Sequence, residues 1–309
     1  MLIPLINSRP KNALNQASHK VTIGMCVYNP ASSFVNVISS WLPHVAQGNE
    51  LLIYDDGSKP PINNIVSNQI DGIRIIRSGV NKGIGHGRNV IYSKANNDFI
   101  MFADADDISH PNRITNSIEN FFAHSKNNYA NLVYASSEKR YDSGKIVIER
   151  TADASFRVNE LIKRQTDISS ESFITPASVL MFSRREVSTS FDESFRRLED
   201  IEWLWHVNTK MPINLISTEE VLVERYDQFI AREKNNVNYE SEEKLFDKYS
   251  SIIGIRLTNF NKDWSRIKVI YFENKKLYLL CYCALFIVKY NLDALRKVFI
   301  GLKRRLKKC

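Results

Sequence analysis

The chain has 309 residues, of which 43% are hydrophobic and 25% charged, a composition that is typical of a globular protein and argues against disorder. Its net charge of +8 is unevenly placed, because residues 262–309 carry 13 Lys or Arg against 3 Asp or Glu (+10), which leaves −2 for residues 1–261. A near-neutral body argues against nucleic acid as a partner, and a basic tail favours contact with an anionic surface.

The four cysteines and the N-terminus exclude further classes. Cys26, Cys281, Cys283 and Cys309 contain no C-x-x-C pair, so neither a zinc site nor a disulfide framework is expected, and a reducing compartment fits. The opening MLIPLINSRPK lacks a basic region followed by a long apolar one. We therefore expect no secretory signal and interpret residues 1–20 as an N-terminal lead.

Strands and helices alternate over about the first 136 residues. The predicted strands cover 21–28, 51–54, 72–78, 98–107 and 131–137, and the predicted helices 34–45, 62–70 and 112–124. Residues 81–96 are predicted to form a glycine-rich turn that leads into a helix. Such alternation predicts βαβ units and a mostly parallel sheet, with ligands bound beyond the carboxyl ends of the strands. Polar residues follow three of these strands, in YNP, YDDGS and ADADD.

The pattern weakens after residue 137. A hairpin is predicted over 139–150, with its turn at Asp142-Ser143-Gly144, and a strand begins at Ser178. A helix is predicted from Glu199 or Asp200 to Lys210, and two late strands are predicted at 212–217 and 221–226.

The stretch FIMFADADDISH places three carboxylates, Asp104, Asp106 and Asp107, at the end of an apolar strand. Because like charges repel, a positive or phosphate-linked group is expected among them. The strand period of two puts Asp104 and Asp106 on one side, and paired carboxylates suit Mg²⁺ or Mn²⁺. An EF-hand is excluded, since its fifth position would be Ile108. On this motif alone, a solvated acidic turn capping the next helix is an equal alternative.

The order of VYN, YDDGS, NKGIGHGRN, ADADD and LEDIEW closely resembles the inverting family 2 glycosyltransferases, over roughly residues 21–227. The resemblance implies an α/β GT-A fold, Rossmann-like with a mostly parallel sheet, followed by a helical, basic amphipathic C-terminal extension. It divides the chain into a nucleotide-sugar-binding half (21–136), an acceptor-binding half with the candidate base (137–227) and a membrane-associating extension (228–309).

The resemblance also assigns roles to individual residues. The nucleotide-sugar-binding residues it implies are Tyr28, Asn29, Asp55, Asp56, Asn81, Arg88 and Asp104, with the choice between Asp55 and Asp56 left open. Asp106, with Asp104, would bind the Mn²⁺ or Mg²⁺ that bridges the diphosphate, and Asp107 would assist. Of the pair Glu199-Asp200, the aspartate is the candidate general base.

The chemistry of inversion needs two separate groups. One carboxylate takes a proton from the acceptor hydroxyl during in-line attack, and a cation stabilises the departing nucleoside diphosphate. Without the resemblance, Asp200 would be interpreted as a first-turn acid favoured by the helix dipole.

Two smaller expectations concern packing. Gly87 replaces the alanine common in the family's ARN segment, and we expect this small change to be tolerated. At least one of Trp203 and Trp205 is expected in the core.

The tail predicts a membrane contact. Leu277 to Val288 is a run of twelve apolar residues, shorter than the roughly twenty that span a bilayer. From Leu292 a helix with one apolar and one basic face is predicted, and residues 275–308 would lie on an anionic membrane. The alternative is a helix packed on the catalytic domain with its charges solvated.

The resemblance, together with the basic tail, implies a metal-dependent, inverting glycosyltransferase that moves a sugar from a nucleotide-diphosphate donor, expected to be a UDP-sugar, to a hydroxyl of a lipid-linked glycan. The pathways implied are bacterial lipopolysaccharide, O-antigen or capsule synthesis, in the cytoplasm at the inner face of the inner membrane, with no nucleic acid partner. The first alternative is a sugar-phosphate nucleotidyltransferase, although its glycine-rich loop is missing from NPASSF. The second, a non-catalytic membrane-binding module, leaves the acidic motifs unexplained.

Overall fold

The computed structural model describes residues 19–66, 70–167, 176–227 and 239–272, together with Cys283, Leu285, Phe286, Lys289 and Tyr290. The strands in these residues are β1 (Val21–Val27), β2 (Glu50–Asp55), β3 (Ile73–Arg77), β4 (Phe99–Asp104), β5 (Asp107–Ser109), β6 (Ala130–Tyr141), β7 (Ile146–Glu149), β8 (Ala154–Phe156), β9 (Leu180–Ser183) and β10 (Ile213–Asp227). The α-helices are α1 (Phe34–Ala46), α2 (Ile84–Lys94), α3 (Arg113–His124), α4 (Glu160–Thr166), α5 (Glu199–Lys210), α6 (Tyr239–Lys248), α7 (Ser250–Ile253) and α8 (Ile255–Phe272).

One sheet runs through the domain in the order β3-β2-β1-β4-β9-β6-β10-β5, with β7 on β6 and β8 on β10. Strands β3, β2, β1 and β4 are parallel, as are β6 and β10, while β9 is antiparallel to both of its neighbours. The predicted α/β architecture with a mostly parallel sheet is confirmed. The antiparallel strands lie in the second half of the sheet, where the sequence pattern weakens.

Helices cover both faces of the sheet, which explains the continuous apolar runs of its central strands. Ile23 and Met25 of β1 face a core formed with α1 and α3, which includes Trp41 and Ile118. The opposite face packs against α2 and α5, and Phe102 of β4 belongs to that core. The central strands therefore cannot move without disturbing both cores.

The strand register brings three polar strand ends together. Val27 pairs with Asp55, and Cys26 pairs with both Tyr54 and Asp104, so β1, β2 and β4 finish side by side. The carboxyl edge of the sheet thus gathers the predicted nucleotide-binding segments, as the parallel arrangement requires.

Most predicted elements are confirmed, but three differ from the structure. The strand predicted over 98–107 ends at Asp104, and a turn at residues 105 and 106 separates it from β5, so Asp106 lies in a turn and not in an extended strand. The 62–70 segment forms only a short 3₁₀ turn at Ile62–Asn64, and its residues 67–69 lie outside the described residues. The two late strands are one continuous strand, β10, interrupted only by irregular pairing between Ser217 and Val223. The hairpin of β6 and β7 and the helix starting at Glu199 follow the prediction.

A helical C-terminal region is present as expected, in α6, α7 and α8. The predicted membrane-binding segment 275–308 lies largely outside the described residues. Within it, Phe286 and Tyr290 pack against Phe260 of α8, with ring centroids 4.8 and 4.9 Å apart, and Lys289 contacts Asp263 at 2.7 Å. Across the part of the chain that the structure describes, no helix is both long enough and apolar enough to cross a membrane.

Candidate active site

The acidic triad, Asp104, Asp106 and Asp107, lies at the carboxyl edge of the sheet between β4 and β5. Each residue offers a carboxylate oxygen, and these oxygens lie within 4.8 Å of one another. Asp104 is half-buried, Asp106 exposed and Asp107 buried. The sequence predicted this clustering, and the geometry brings all three side chains to one point.

Asp107 supports a cation at the triad. Burial and the neighbouring Asp104 raise the pKa of Asp107 to about 7, although Arg225 acts against them. Its Oδ2 lies 3.6 Å from Arg225 Nε and has no hydrogen-bond partner among the residues that the structure describes. A buried carboxylate oxygen without a hydrogen bond, beside two more carboxylates, matches the hard oxygen ligands that Mg²⁺ and Mn²⁺ take. The residues therefore fit a divalent cation.

Arg88 connects the triad to the candidate base segment. Its side chain is buried, and Nη1 donates to Glu199 Oε1 at 2.7 Å while Nη2 lies 3.8 Å from Asp104 Oδ1. The guanidinium stands over the rings of Phe102 and Phe191, 5.6 and 5.4 Å from their centroids. A positive group was expected near the three clustered aspartates, and Arg88 of α2 provides one beside Asp104.

The carboxylates around Arg88, above all Glu199, keep its guanidinium charged. Burial lowers the pKa of Arg88, but Glu199, Asp104 and Asp200 outweigh it and raise that pKa. Burial and Asp200 raise the pKa of Glu199, while Arg88 lowers it. Because a guanidinium is not deprotonated in proteins, we conclude that Glu199 serves as its buried counter-ion.

Asp200 occupies the first turn of α5. The helix begins at Glu199, after Leu198 takes a left-handed conformation with φ of 61°. Asp200 is half-buried, and its Oδ1 accepts a hydrogen bond from the backbone N–H of Ile201 at 2.9 Å. It acts electrostatically on both Arg88 and Tyr134. Asp200 thus directly follows Glu199, which pairs with Arg88 at 2.7 Å.

The residues after β1 form a tight loop. Asn29 has a left-handed φ of 45°; its N–H donates to Ser58 Oγ at 2.9 Å and its Oδ1 accepts from the Lys59 N–H at 2.8 Å. Tyr28 is 54% exposed at this edge. The first predicted contact, Tyr28, is accessible to a ligand, and the second, Asn29, also holds the loop that follows β2.

Asp55 and Asp56 both accept hydrogen bonds from the protein. Asp55 is fully buried, accepts from the Ser58 N–H at 2.8 Å and pairs with Arg77. Asp56 accepts from the N–H groups of Lys82 and Gly83, at 2.7 and 2.8 Å. These bonds fix the loops around them, and any contact of either residue with a nucleotide has to use its remaining acceptor capacity.

The segment around Asn81 meets the loop before α5. Arg196 donates to Asn81 Oδ1 at 3.4 Å. Gly83 has φ of 97°, and a Cβ there would lie 2.4 Å from Arg196 Nη1. The glycine-rich turn predicted from the sequence thus allows Arg196 of the 191–198 loop to approach closely.

Gly87 lies where α2 meets the sheet. A Cβ at this position would lie 2.6 Å from Cys26 Sγ and 2.8 Å from Tyr54 Cδ1. Glycine in place of alanine therefore fits this chain, in which an added Cβ would force these two side chains to shift.

The 191–198 loop, which leads into α5, is held by contacts from two helices. Asn89 of α2 donates to Glu193 Oε1 at 2.9 Å, and His86 contacts Glu193 Oε2 at 2.8 Å. On the other side, Lys248 of α6 contacts Asp192 at 2.6 Å. No local signal could reveal these contacts, because the partners lie far apart in the chain.

Trp203 and Trp205 are both buried in the core, where at least one of them was expected.

Comparison with known proteins identifies the family. Residues 22–186, more than half of the chain, match Glycosyl transferase family 2. The chain belongs to this family. An uncharacterised glycosyltransferase of Haemophilus influenzae is 34% identical over 90 residues, which are 28% of this family 2 chain and 36% of that protein. The match spans about a third of the length of that relative.

Solved structures share the fold of this family 2 chain. S. aureus TarS 1–349 in complex with UDP superposes with a TM-score of 0.56 at 13% identity, over 89% of this chain and 82% of that one. The same protein in complex with UDP-GlcNAc gives 0.54 at 12% identity, over 87% and 81%. At these identities the likeness shows the fold, and the expected GT-A architecture is confirmed.

Proposed function

We propose that this chain is a metal-dependent, inverting glycosyltransferase that moves a sugar from a nucleotide-diphosphate donor to an acceptor hydroxyl. The observation that carries the proposal is that Arg88 contacts both Asp104 of the acidic triad and Glu199, the residue next to Asp200 in the chain. This arrangement offers a cation-binding centre and a separate carboxylate within one site.

Asp106 and Asp104 would hold Mn²⁺ or Mg²⁺, with Asp107 beside them. A bound cation would supply positive charge for the diphosphate of the donor. Arg88 is oriented by Glu199 and by the two aromatic faces beneath it, so its charge is held toward Asp104 without reorganisation. A fixed charge of this kind is more effective than a mobile one.

Asp200 would accept the proton of the acceptor hydroxyl. Its position on the first turn of a helix anchored by the buried Glu199 fixes its direction. An efficient base must lie within hydrogen-bond distance of the hydroxyl and must have a defined orientation. The first turn of α5 provides the defined orientation. Inversion of an α-linked donor would give a β linkage.

We propose UDP as the nucleotide of the donor. The support is the fold shared with TarS, whose structures hold UDP and UDP-GlcNAc. Tyr28, Asn29, Asn81 and one of Asp55 and Asp56 would line its binding site. The acceptor we propose is a lipid-linked glycan of lipopolysaccharide, O-antigen or capsule synthesis, used at the inner face of the bacterial inner membrane.

The basic segment 275–308 supports the membrane part of this proposal. We expect the full chain to co-sediment with vesicles containing phosphatidylglycerol and not with pure phosphatidylcholine, and expect the binding to weaken as salt rises. Replacing Lys303, Arg304, Lys307 and Lys308 by Gln should reduce it. Equal binding to both vesicle types, or no binding to either, would contradict membrane association.

The donor site is tested by thermal unfolding of the purified chain with Mn²⁺ alone and with Mn²⁺ plus UDP, GDP or CMP. A ligand that binds only the folded state raises the midpoint. We expect the largest rise with UDP plus Mn²⁺ and expect Asp106→Asn to lose it.

Asp71→Asn is the matched control, because Asp71 is exposed and lies at the start of β3, on the opposite edge of the sheet. It should respond as the wild type does. If GDP is the only nucleotide that raises the thermal midpoint with Mn²⁺, the donor is a GDP-sugar and the site assignment is retained. If no nucleotide shifts the folded wild type, or if Asp106→Asn keeps the full response, the site assignment is wrong.

A further inference from the structure

A cavity of about 520 Å³ lies beside the acidic triad, on the side of the sheet that α1 covers. Its volume is within the range of small-molecule sites, ~300–1,000 Å³. The cavity is lined by Ser33, Asn36, Val37, Asp106, Ile108, Asp142, Glu224 and Tyr226. Asp106 belongs both to this lining and to the triad, so the cavity opens next to the proposed metal site.

The sheet builds the floor of this cavity. Glu224 pairs with Glu138 on one side and with Ile108 on the other, while Tyr226 pairs with Arg140. Paired residues in a sheet point to the same face, so these side chains form one surface. Tyr226 is 44% exposed on it. The continuous length of β10, which the sequence did not predict, is what places Tyr226 beside β6.

The lining is unsuited to an anion. Three of its residues, Asp106, Asp142 and Glu224, are acidic, and it includes no Lys or Arg. The nearby Arg140 is already paired with Glu138 at 2.6 Å and with Glu224 at 3.3 Å. Away from a cation bound at Asp106, a phosphate or a carboxylate in the cavity would meet the like charges of Asp142 and Glu224, which disfavours an anionic ligand there.

The same lining suits a neutral sugar. Carboxylate oxygens accept hydrogen bonds from hydroxyl groups, and the Asn36 amide and the Ser33 hydroxyl can both donate and accept. The exposed Tyr226 ring offers a flat apolar surface to the C–H face of a pyranose. A cavity with one aromatic wall and several directed polar groups is the usual form of a specific small-ligand site.

We propose that this cavity is a subsite for a neutral sugar unit of the acceptor glycan, with Tyr226 as its stacking surface and Glu224 and Asp142 as hydroxyl acceptors. The inference rests on the proposed function and extends it by naming the chemistry of the acceptor. The sugar bound there would lie against Asp106, close to where the donor sugar is transferred.

The experiment is saturation-transfer NMR on the full chain with four probes: the methyl glycosides of glucose, galactose and N-acetylglucosamine, and glucose 1-phosphate. We expect at least one neutral glycoside to bind the wild type and glucose 1-phosphate to bind more weakly. Tyr226→Ala should weaken the binding about tenfold, because it removes the aromatic surface. Tyr226→Phe should restore the binding, since it keeps the ring.

Tyr141→Ala is the matched control. Tyr141 lies next to Arg140 in β6 and therefore points to the opposite face of the same hairpin, where it contacts Lys139. It should bind the probes as the wild type does. The thermal midpoint of each variant verifies its fold, which an exposed position such as Tyr226 should leave intact.

Three results would overturn the subsite: equal binding by the wild type and Tyr226→Ala, preference for glucose 1-phosphate, or no binding of any neutral glycoside up to roughly 50 mM. The rise in midpoint with UDP plus Mn²⁺, measured on the same preparations, separates this failure from that of the proposed function. If UDP plus Mn²⁺ still raises the thermal midpoint while no sugar binds, the donor site is retained and the subsite proposal is wrong.

Discussion

At the scale of single residues, this site depends on close approach as much as on charge. Gly87 lets α2 lie directly on Cys26 and Tyr54 of the sheet, and Arg88 follows it into the interior. The buried guanidinium then has one short contact, to Glu199. A larger residue at position 87 would lift the helix and with it the arginine that faces Asp104.

We predict that Gly87→Ala destabilises the protein by about 1–2 kcal/mol, because overpacking a filled core outweighs the better helix propensity of alanine. Urea denaturation measures the change. Gly85→Ala is the control on the same helix, since a Cβ there meets its nearest atoms at 3.6–3.7 Å, an ordinary contact. It should be neutral or stabilising by up to about 1 kcal/mol. Equal effects at both positions would refute the close-packing argument.

At the scale of elements, α6 contacts both α5 and the 191–198 loop that precedes it. Lys248 of α6 contacts Asp192 at 2.6 Å and the buried Glu202 of α5 at 2.8 Å. Burial raises the pKa of Asp192, but Lys248 and Ser194 lower it to about 2. The 191–198 loop is therefore held between α2 and α6, and it leads directly into the helix that carries Asp200.

We predict that Lys248→Met lowers the free energy of unfolding by about 2 kcal/mol, because it leaves the Glu202 carboxylate buried without its cation. Urea denaturation of Lys248→Met, Glu202→Gln and the double variant forms a cycle, in which Glu202→Gln should cost less once Lys248 is gone. The exposed Lys94→Met serves as control and should have almost no effect. Additive effects in the cycle would show that the two side chains are not coupled.

The elements also show how far the sequence could predict this structure. Strand and helix periods are local, so the alternation from β1 to β6, the acidic triad and the start of α5 follow from the pattern. Contacts such as Lys248 with Glu202 join residues far apart in the chain and leave no periodic signal. The continuity of β10 was missed for a related reason. Glu219 and Glu220 interrupt its apolar pattern, and its pairing with β6 is irregular there but resumes at Val221.

At the scale of the whole molecule, several buried groups tie stability to pH. Burial lowers the pKa of His44, which is fully buried between Trp41 and the backbone oxygen of His110, with the charge of Arg113 acting in the same direction as burial. The folded state therefore prefers neutral His44. The raised pKa of Asp107 acts in the opposite sense, since its ionisation destabilises the fold as pH rises.

We predict that the wild type loses more stability between pH 7.5 and 5.5 than His44→Gln does. The folded pKa of His44 lies below its unfolded value, so its contribution is complete above about pH 6.5 and falls as the unfolded chain takes up a proton below that pH. One neutral histidine limits the extra loss to roughly 1.4 kcal/mol at pH 5.5. Urea denaturation at both pH values measures this extra loss of unfolding free energy. The contribution of Asp107 cancels in the comparison, because both proteins contain that residue. Parallel pH dependence in the two proteins would mean that His44 is protonated equally in the folded and unfolded states, which its burial should forbid.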